Sequence, residues 1–170
     1  MKADRIIEGG IIVMLCAFIG VLYMSLHDNV VQAGDKAPAF SVTADNGHTV
    51  TARDFGGKLL ILNFWASWCE PCVAEVPSLN RLAKELGPDG VVVLGVSEDK
   101  DPQAYKDFLN RFQVSFMTAR EPSQDVKLRY GTHLIPETYL INRNGKVVEK
   151  VVSETDWASP RMIEHVKSLL

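Results

Sequence analysis

Cys69 and Cys72 stand in the run Phe64-Trp65-Ala66-Ser67-Trp68-Cys69-Glu70-Pro71-Cys72, where the apolar stretch Leu59–Trp65 gives way to a helical pattern. A C-x-x-C pair at a strand–helix junction suits thiol–disulfide exchange, because the unpaired N–H groups and partial positive charge of a helix N-terminus stabilise a thiolate. Cys69 falls at or before the first helical turn and is expected to be the exposed nucleophile. Cys72 falls one turn in, so its sulfur is expected to lie deeper and to resolve the mixed disulfide that Cys69 forms. Pro71 is tolerated between them, since its missing N–H would have been unpaired anyway. A zinc site would need further Cys or His ligands at comparable spacing, and His27, His48, His133 and His165 are scattered. The spacing favours redox chemistry over metal.

Two acids lie close to the pair. Glu70, between the cysteines, opposes thiolate formation at Cys69 through its charge, or is a solvated loop carboxylate. Glu75 follows Cys72 by three residues and shares its helix face. If buried, Glu75 gains proton affinity and becomes a candidate proton acceptor for Cys72; otherwise it is an ordinary exposed helix carboxylate. Pro77, inside the helical pattern, is expected to bend that helix. Ile135-Pro136 leads into a strand and is a candidate cis bond, although few X-Pro bonds adopt that form. Trp65 and Trp68 read as core and site-wall residues.

The elements that must hold these residues follow from pattern. Residues 40–42 and 48–51 flank Asp45-Asn46-Gly47, an Asn-Gly turn signal, and predict a hairpin. Leu59–Trp65 is nearly continuous apolar, as a strand buried on both faces would be. The next helix runs to Leu86 and stops at Gly87-Pro88. Residues 91–96 form a second buried-strand pattern, and Asp101-Pro102 opens a helix with Tyr105, Phe108, Leu109 and Phe112 at helical spacing. Residues 125–130 suggest a short helix. Strands at 138–141 and 146–152 are joined by Asn142-Arg143-Asn144-Gly145, and Ser159-Pro160 caps a last helix with Met162, Ile163, Val166, Leu169 and Leu170 inward. The predicted order is ββ, β-α-β-α, a short connecting segment, then β-β-α. Its alternating part implies parallel central strands with helices on both faces, and the closing hairpin adds antiparallel ones, giving an α/β fold.

Ahead of this domain, residues 1–8 are polar, and 9–26 carry no charge. Eighteen such residues make a helix of about 27 Å, close to the thickness of a bilayer's hydrocarbon core. The length favours an uncleaved signal anchor with the cations Lys2 and Arg5 inside. A cleaved signal peptide is the alternative, with Val31-Gln32-Ala33 as processing site. Either way the domain lies outside the cytoplasm. Cys16, inside the apolar stretch, reads as a membrane residue. Residues 27–34 read as linker and 35–170 as the folded domain.

A net charge of −3, with no basic cluster interleaved with aromatics, gives no sign of a nucleic-acid partner. The 170 residues fit one domain plus an appendage, and three cysteines make no disulfide-stapled framework.

Over residues 35–170 the chain resembles the thioredoxin superfamily, and within it the membrane-anchored, extracytoplasmic branch of TlpA/ResA-like and cytochrome c biogenesis thioredoxins. The features that match are FWASWCEPC, the helix proline Pro77, IPETYLINRNGKVV and the apolar N-terminus. The resemblance implies a thioredoxin fold, a central mixed sheet flanked by helices, with the N-terminal hairpin, an inserted βα segment and one preceding transmembrane helix. It implies that Pro136 is the family's cis-proline, contacting the pair and bound substrate, so that Trp68, Glu70, Pro71, Ile135 and Pro136 would form the client-binding surface. Glu75 would match the acidic residue near the active site of this branch. Asn63 departs from cytoplasmic thioredoxins, which carry a buried aspartate there, and moves proton handling onto Glu75. Glu137-Thr138 after Pro136 resembles the cytochrome c biogenesis members, and C-E-P-C the ResA side.

On these features the chain is expected to be a tethered reductant of protein disulfides with catalytic Cys69, Cys72 and Glu75. The resemblance implies apocytochrome c as client, on a bacterial cytoplasmic membrane with the domain facing outward. No cofactor is expected beyond the redox-active Cys69–Cys72 disulfide, and electrons would come from a membrane thiol-transfer partner. A peroxiredoxin-type peroxidase would need P-x-x-x-[ST]-x-x-C, and Leu62 occupies the proline position. A copper-handling module would use Cys69, Cys72 and His133.

Overall fold

In the computed structural model, residues 2–26 and 30–170 are described, the side chains of 2–8 and 23–26 excepted. The elements are α1 (Lys2–Leu26), β1 (Ser41–Thr43), β2 (Thr49–Thr51), a 3-10 turn (Ala52–Phe55), β3 (Leu59–Trp65), α2 (Glu70–Leu86), β4 (Val91–Ser97), α3 (Pro102–Arg111), β5 (Met117–Arg120), α4 (Asp125–Arg129), β6 (Glu137–Ile141), β7 (Val147–Val152) and α5 (Pro160–Ser168). The chain divides into two units, Met1–Val30 and Val31–Leu170.

In the first unit, α1 carries exposed apolar side chains at successive positions, from Ile11 through Leu15 and again at Phe18, Ile19, Val21 and Leu22. Among the described residues no helix is long and apolar enough to cross a membrane. The anchor expected over 9–26 runs past Leu22 into residues whose side chains lie outside that description, as do residues 27–29 of the expected linker.

The second unit is built on a five-stranded sheet in the order β5-β4-β3-β6-β7. β3 is central and every one of its residues is buried, which is why it reads as a run apolar at every position but Asn63. It pairs in parallel with β4 and antiparallel with β6. One face packs Leu59 and Ile61 against Leu79, Leu82 and Leu86 of α2 and Ile163 and Val166 of α5. The other packs Leu60, Leu62 and Phe64 against Val42 and Val50 of the hairpin, Phe55, and Val126 of α4. The expected helices on both faces are present, but the hairpin and the 3-10 turn supply much of the second cover.

The segment predicted as a short connection contains β5, which pairs in parallel with β4 at the sheet edge. Four residues, Met117-Thr118-Ala119-Arg120, are too few for a period-2 pattern to register, and the strand is specified by its neighbour. Val31, in the segment read as linker, is a core residue whose N–H bonds Tyr130 O at 3.1 Å. α2 runs unbroken through Pro77. Gly95 in β4 has a steric reason: a Cβ there would meet Trp65 Nε1 at 2.8 Å and Phe116 at 2.9 Å.

Candidate active site

β3 delivers the chain to a turn, Ala66 to Cys69, closed by Cys69 N–H to Ala66 O at 3.2 Å. Cys69 is the N-cap of α2, and its sulfur accepts the Cys72 N–H at 3.3 Å. Cysteine thus fills the place usually taken by Ser, Asp or Asn, and the helix N-terminus is directed at a sulfur. Cys69 and Cys72 form a disulfide, with Cα atoms 5.2 Å apart. Both are buried, Cys69 at 5 % and Cys72 at 2 % exposed. Cys69, expected to be exposed, is buried almost as fully as Cys72, because Ile135 and the residues packed beneath the pair cover it in the disulfide form. Trp65, Val76, Tyr105 and Phe108 pack beneath the pair, with partly buried Ile135 against them.

The structure brings Ile135 and Pro136 to the disulfide: the Ile135-Pro136 bond is cis, and Ile135 O lies 3.7 Å from Cys69 Sγ. Trp68, at 69 % exposed, and Glu70 and Pro71 stand on the outer surface. His133 is exposed in the loop ahead of Ile135. Among the described residues no three His, Cys, Asp or Glu side chains cluster as a metal site.

Glu75 is 2 % exposed. Its Oε1 accepts from Asn63 Nδ2 at 2.9 Å, and its Oε2 from Thr155 N–H at 3.2 Å and Trp157 Nε1 at 3.3 Å. Burial pushes its pKa up from 4.5 to about 7, against the pull of the Trp157, Asn63 and Thr155 hydrogen bonds. Asn63 also donates to Thr138 Oγ1 at 2.9 Å, so its amide ties α2 and β6 together.

Sequence reasoning missed Thr155, Trp157 and Asp99, and assigned Glu137 no role at the site. Thr155 and Trp157 reach Glu75 across about eighty positions of chain, a contact no local pattern signals. Glu137, 4 % exposed, receives Thr132 Oγ1 at 2.6 Å, the Tyr139 hydroxyl, and Lys150 Nζ at 2.9 Å, fixing the residue after Pro136. Asp99, at the end of β4, is 2 % exposed and bonds Ser67. An acid following a buried-strand pattern was the available signal for Asp99.

A family model described as Redoxin matches residues 32–166. Thiol-disulfide oxidoreductase ResA of Bacillus anthracis is 32 % identical over 160 residues, covering 91 % of each chain. ResA of Bacillus subtilis is also 32 % identical over 160 residues, covering 91 % of this chain and 89 % of its own. Among solved structures, a thiol:disulfide interchange protein DsbE from Chlorobium tepidum aligns with a TM-score of 0.72 and 31 % identity, over 82 % of this chain and 95 % of its own. StoA from Bacillus subtilis shares the fold, with a TM-score of 0.65 at 21 % identity over 78 % of this chain and 96 % of its own.

Proposed function

Since the chain belongs to the Redoxin family and is a thiol–disulfide oxidoreductase of thioredoxin-like fold, we propose that it works as a reductant of protein disulfides outside the cytoplasm, with apocytochrome c as its client. The observation that carries this reading is a disulfide capping α2 with a buried carboxylate, Glu75, one turn along the same helix at a pKa of about 7. A proton acceptor poised near neutrality suits the step in which a buried thiol must become a thiolate.

In this mechanism Cys69 thiolate attacks one sulfur of the client disulfide. The mixed disulfide forms, and the client's other sulfur leaves as a thiolate that takes up a proton. Glu75 then accepts the Cys72 proton, and Cys72 attacks Cys69 Sγ. The internal disulfide forms and the second client thiolate is released. Two electrons pass to the client, and a membrane thiol-transfer reductant restores the dithiol. Ile135, cis-Pro136, Trp68, Glu70 and Pro71 form the surface on which the client segment lies.

Two observations support a tether over residues 9–26. The exposed apolar side chains of α1 occupy consecutive positions, hence all sides of the helix, as in a membrane-embedded segment. Processing after Ala33 would also discard Val31 from the domain's core. Retention of the chain in alkali-washed membranes tests this; release as a shortened form would overturn it.

For the reaction, Cys69→Ser is expected to abolish disulfide reduction, and Cys72→Ser to trap mixed disulfides whose captured proteins include apocytochrome c. An inert Cys72→Ser variant would contradict the assigned roles. A redox titration is expected to give a reducing potential, because Glu70 and Glu75 disfavour the thiolate form; a value near about −120 mV, typical of a strong oxidant, would overturn the reductant reading.

A further inference from the structure

We propose that Asp99 is a positioning residue for client capture: it grips the turn that precedes the dithiol and holds the Trp68 indole out as the docking platform beside Cys69. This rests on the disulfide-reductase reading. Asp99 Oδ2 accepts Ser67 N–H at 2.9 Å and Ser97 Oγ–H at 2.6 Å, while Oδ1 accepts Ser67 Oγ–H at 2.7 Å. The Asp99 N–H in turn donates to Ser97 Oγ at 3.0 Å. The carboxylate is therefore clasped by backbone and hydroxyl donors at the end of β4. Arg120 Nη1 donates instead to the backbone oxygens of Asp99 and Lys100, at 3.2 and 3.3 Å.

Burying a carboxylate on neutral donors is unfavourable unless several strong hydrogen bonds compensate. Here two of the three converge on one residue, Ser67, the second position of the turn that Cys69 N–H closes onto Ala66 O. The third position is Trp68, 69 % exposed, immediately before Cys69. With its second residue held by both N–H and hydroxyl, the backbone of the turn is fixed, and with it the position from which the Trp68 side chain projects. A rigid aromatic beside the nucleophile is what a polypeptide client would rest on, because its ordering has already been achieved before binding. Trp68 and Ser67 also line, with Asp99, Lys100 and Asp101, a cavity of about 540 Å³ open to such a segment.

The experiment compares the reduced full-length chain in detergent micelles against two disulfides: a synthetic peptide carrying an oxidised C-x-x-C-H sequence, and oxidised glutathione. Asp99→Ala is expected to lower kcat/KM for the peptide by about tenfold, through KM, and to change glutathione reduction by less than about twofold. Asp99→Asn, with its amide oxygen at the Oδ2 position, can still accept the Ser67 N–H and Ser97 Oγ–H and would donate to Ser67 Oγ instead of accepting from it, so it should fall between; it keeps the test available if Asp99→Ala folds poorly. In a Trp68→Ala background, Asp99→Ala should have little further effect on the peptide. Equal slowing of both disulfides, or an undiminished effect without Trp68, would overturn the inference. If the wild-type chain reduces neither disulfide, the reductase reading fails instead. Hydrogen exchange at the Ser67 amide and nitrogen relaxation at Trp68 Nε1 then still decide the inference: both should report loosening in Asp99→Ala, and unchanged order would overturn it.

Discussion

Glu75 is the residue on which the chemistry and the stability of this domain meet. Its pKa rises from 4.5 to about 7 on burial, so the folded state holds its proton more tightly than the unfolded state. Between those values the folded protein binds more protons, and stability must fall as pH rises through the window. At about 1.4 kcal/mol per pKa unit, the loss is roughly 3 kcal/mol between pH 4.5 and about 7. Glu75→Gln, which cannot ionise, is expected to remove this loss. Denaturant unfolding at pH 5 and pH 8 checks it, and an unchanged pH difference would refute the assignment. In catalysis, the rate of mixed-disulfide resolution should rise as pH passes about 7, and Glu75→Gln should erase that rise and slow the step by about a hundredfold. Stopped-flow release of product from a preformed mixed disulfide measures both. The position of Glu75 was legible, being fixed by helical spacing from Cys72. Asn63 was singled out on β3, but its bond to Glu75 and the partners Thr155 and Trp157 were not, because those two come from the chain after β7, and only the assembled sheet brings the segments together.

The elements differ in how openly they declare themselves. β3 was legible to the residue, since a strand buried on both faces is apolar at every position but Asn63 and has no polar ends to blur it. β5 escaped notice because it carries four residues and draws its conformation from β4. Between these strands lies an arrangement that neither segment records alone: the Trp65 indole rests against the bare backbone of Gly95 and stacks on Tyr105 and Phe108 under the dithiol. Gly95→Ala would drive a methyl group into both Trp65 and Phe116, and is expected to destabilise the domain by about 1–3 kcal/mol. Thermal or denaturant melts monitored by tryptophan emission would show it; a neutral outcome would mean that the Trp65 shelf yields readily.

The whole molecule divides near Val30, and the unit Val31–Leu170 has its own core. Removing residues 1–30 is therefore expected to leave the midpoint of unfolding unchanged within a few degrees. Removing residues 1–36 discards Val31 from the core together with its bond to Tyr130 O and that of Gly34 N–H to Val147 O, and should cost about 1–3 kcal/mol. Circular-dichroism melts of the two truncations make the comparison. The border between the N-terminal unit and the domain was blurred in the sequence because residues 31–34 carry no repeating pattern, although one of them, Val31, is pinned by tertiary contacts. The same segment sets the geometry of the domain's attachment. Residues 34–37 bond to Gly145 and Val147, at the β6–β7 turn beside Leu60, whereas Cys69 lies past Trp65 at the opposite end of β3. The chain thus enters the domain at one pole and carries its dithiol at the other, the two separated by the length of β3, about 23 Å.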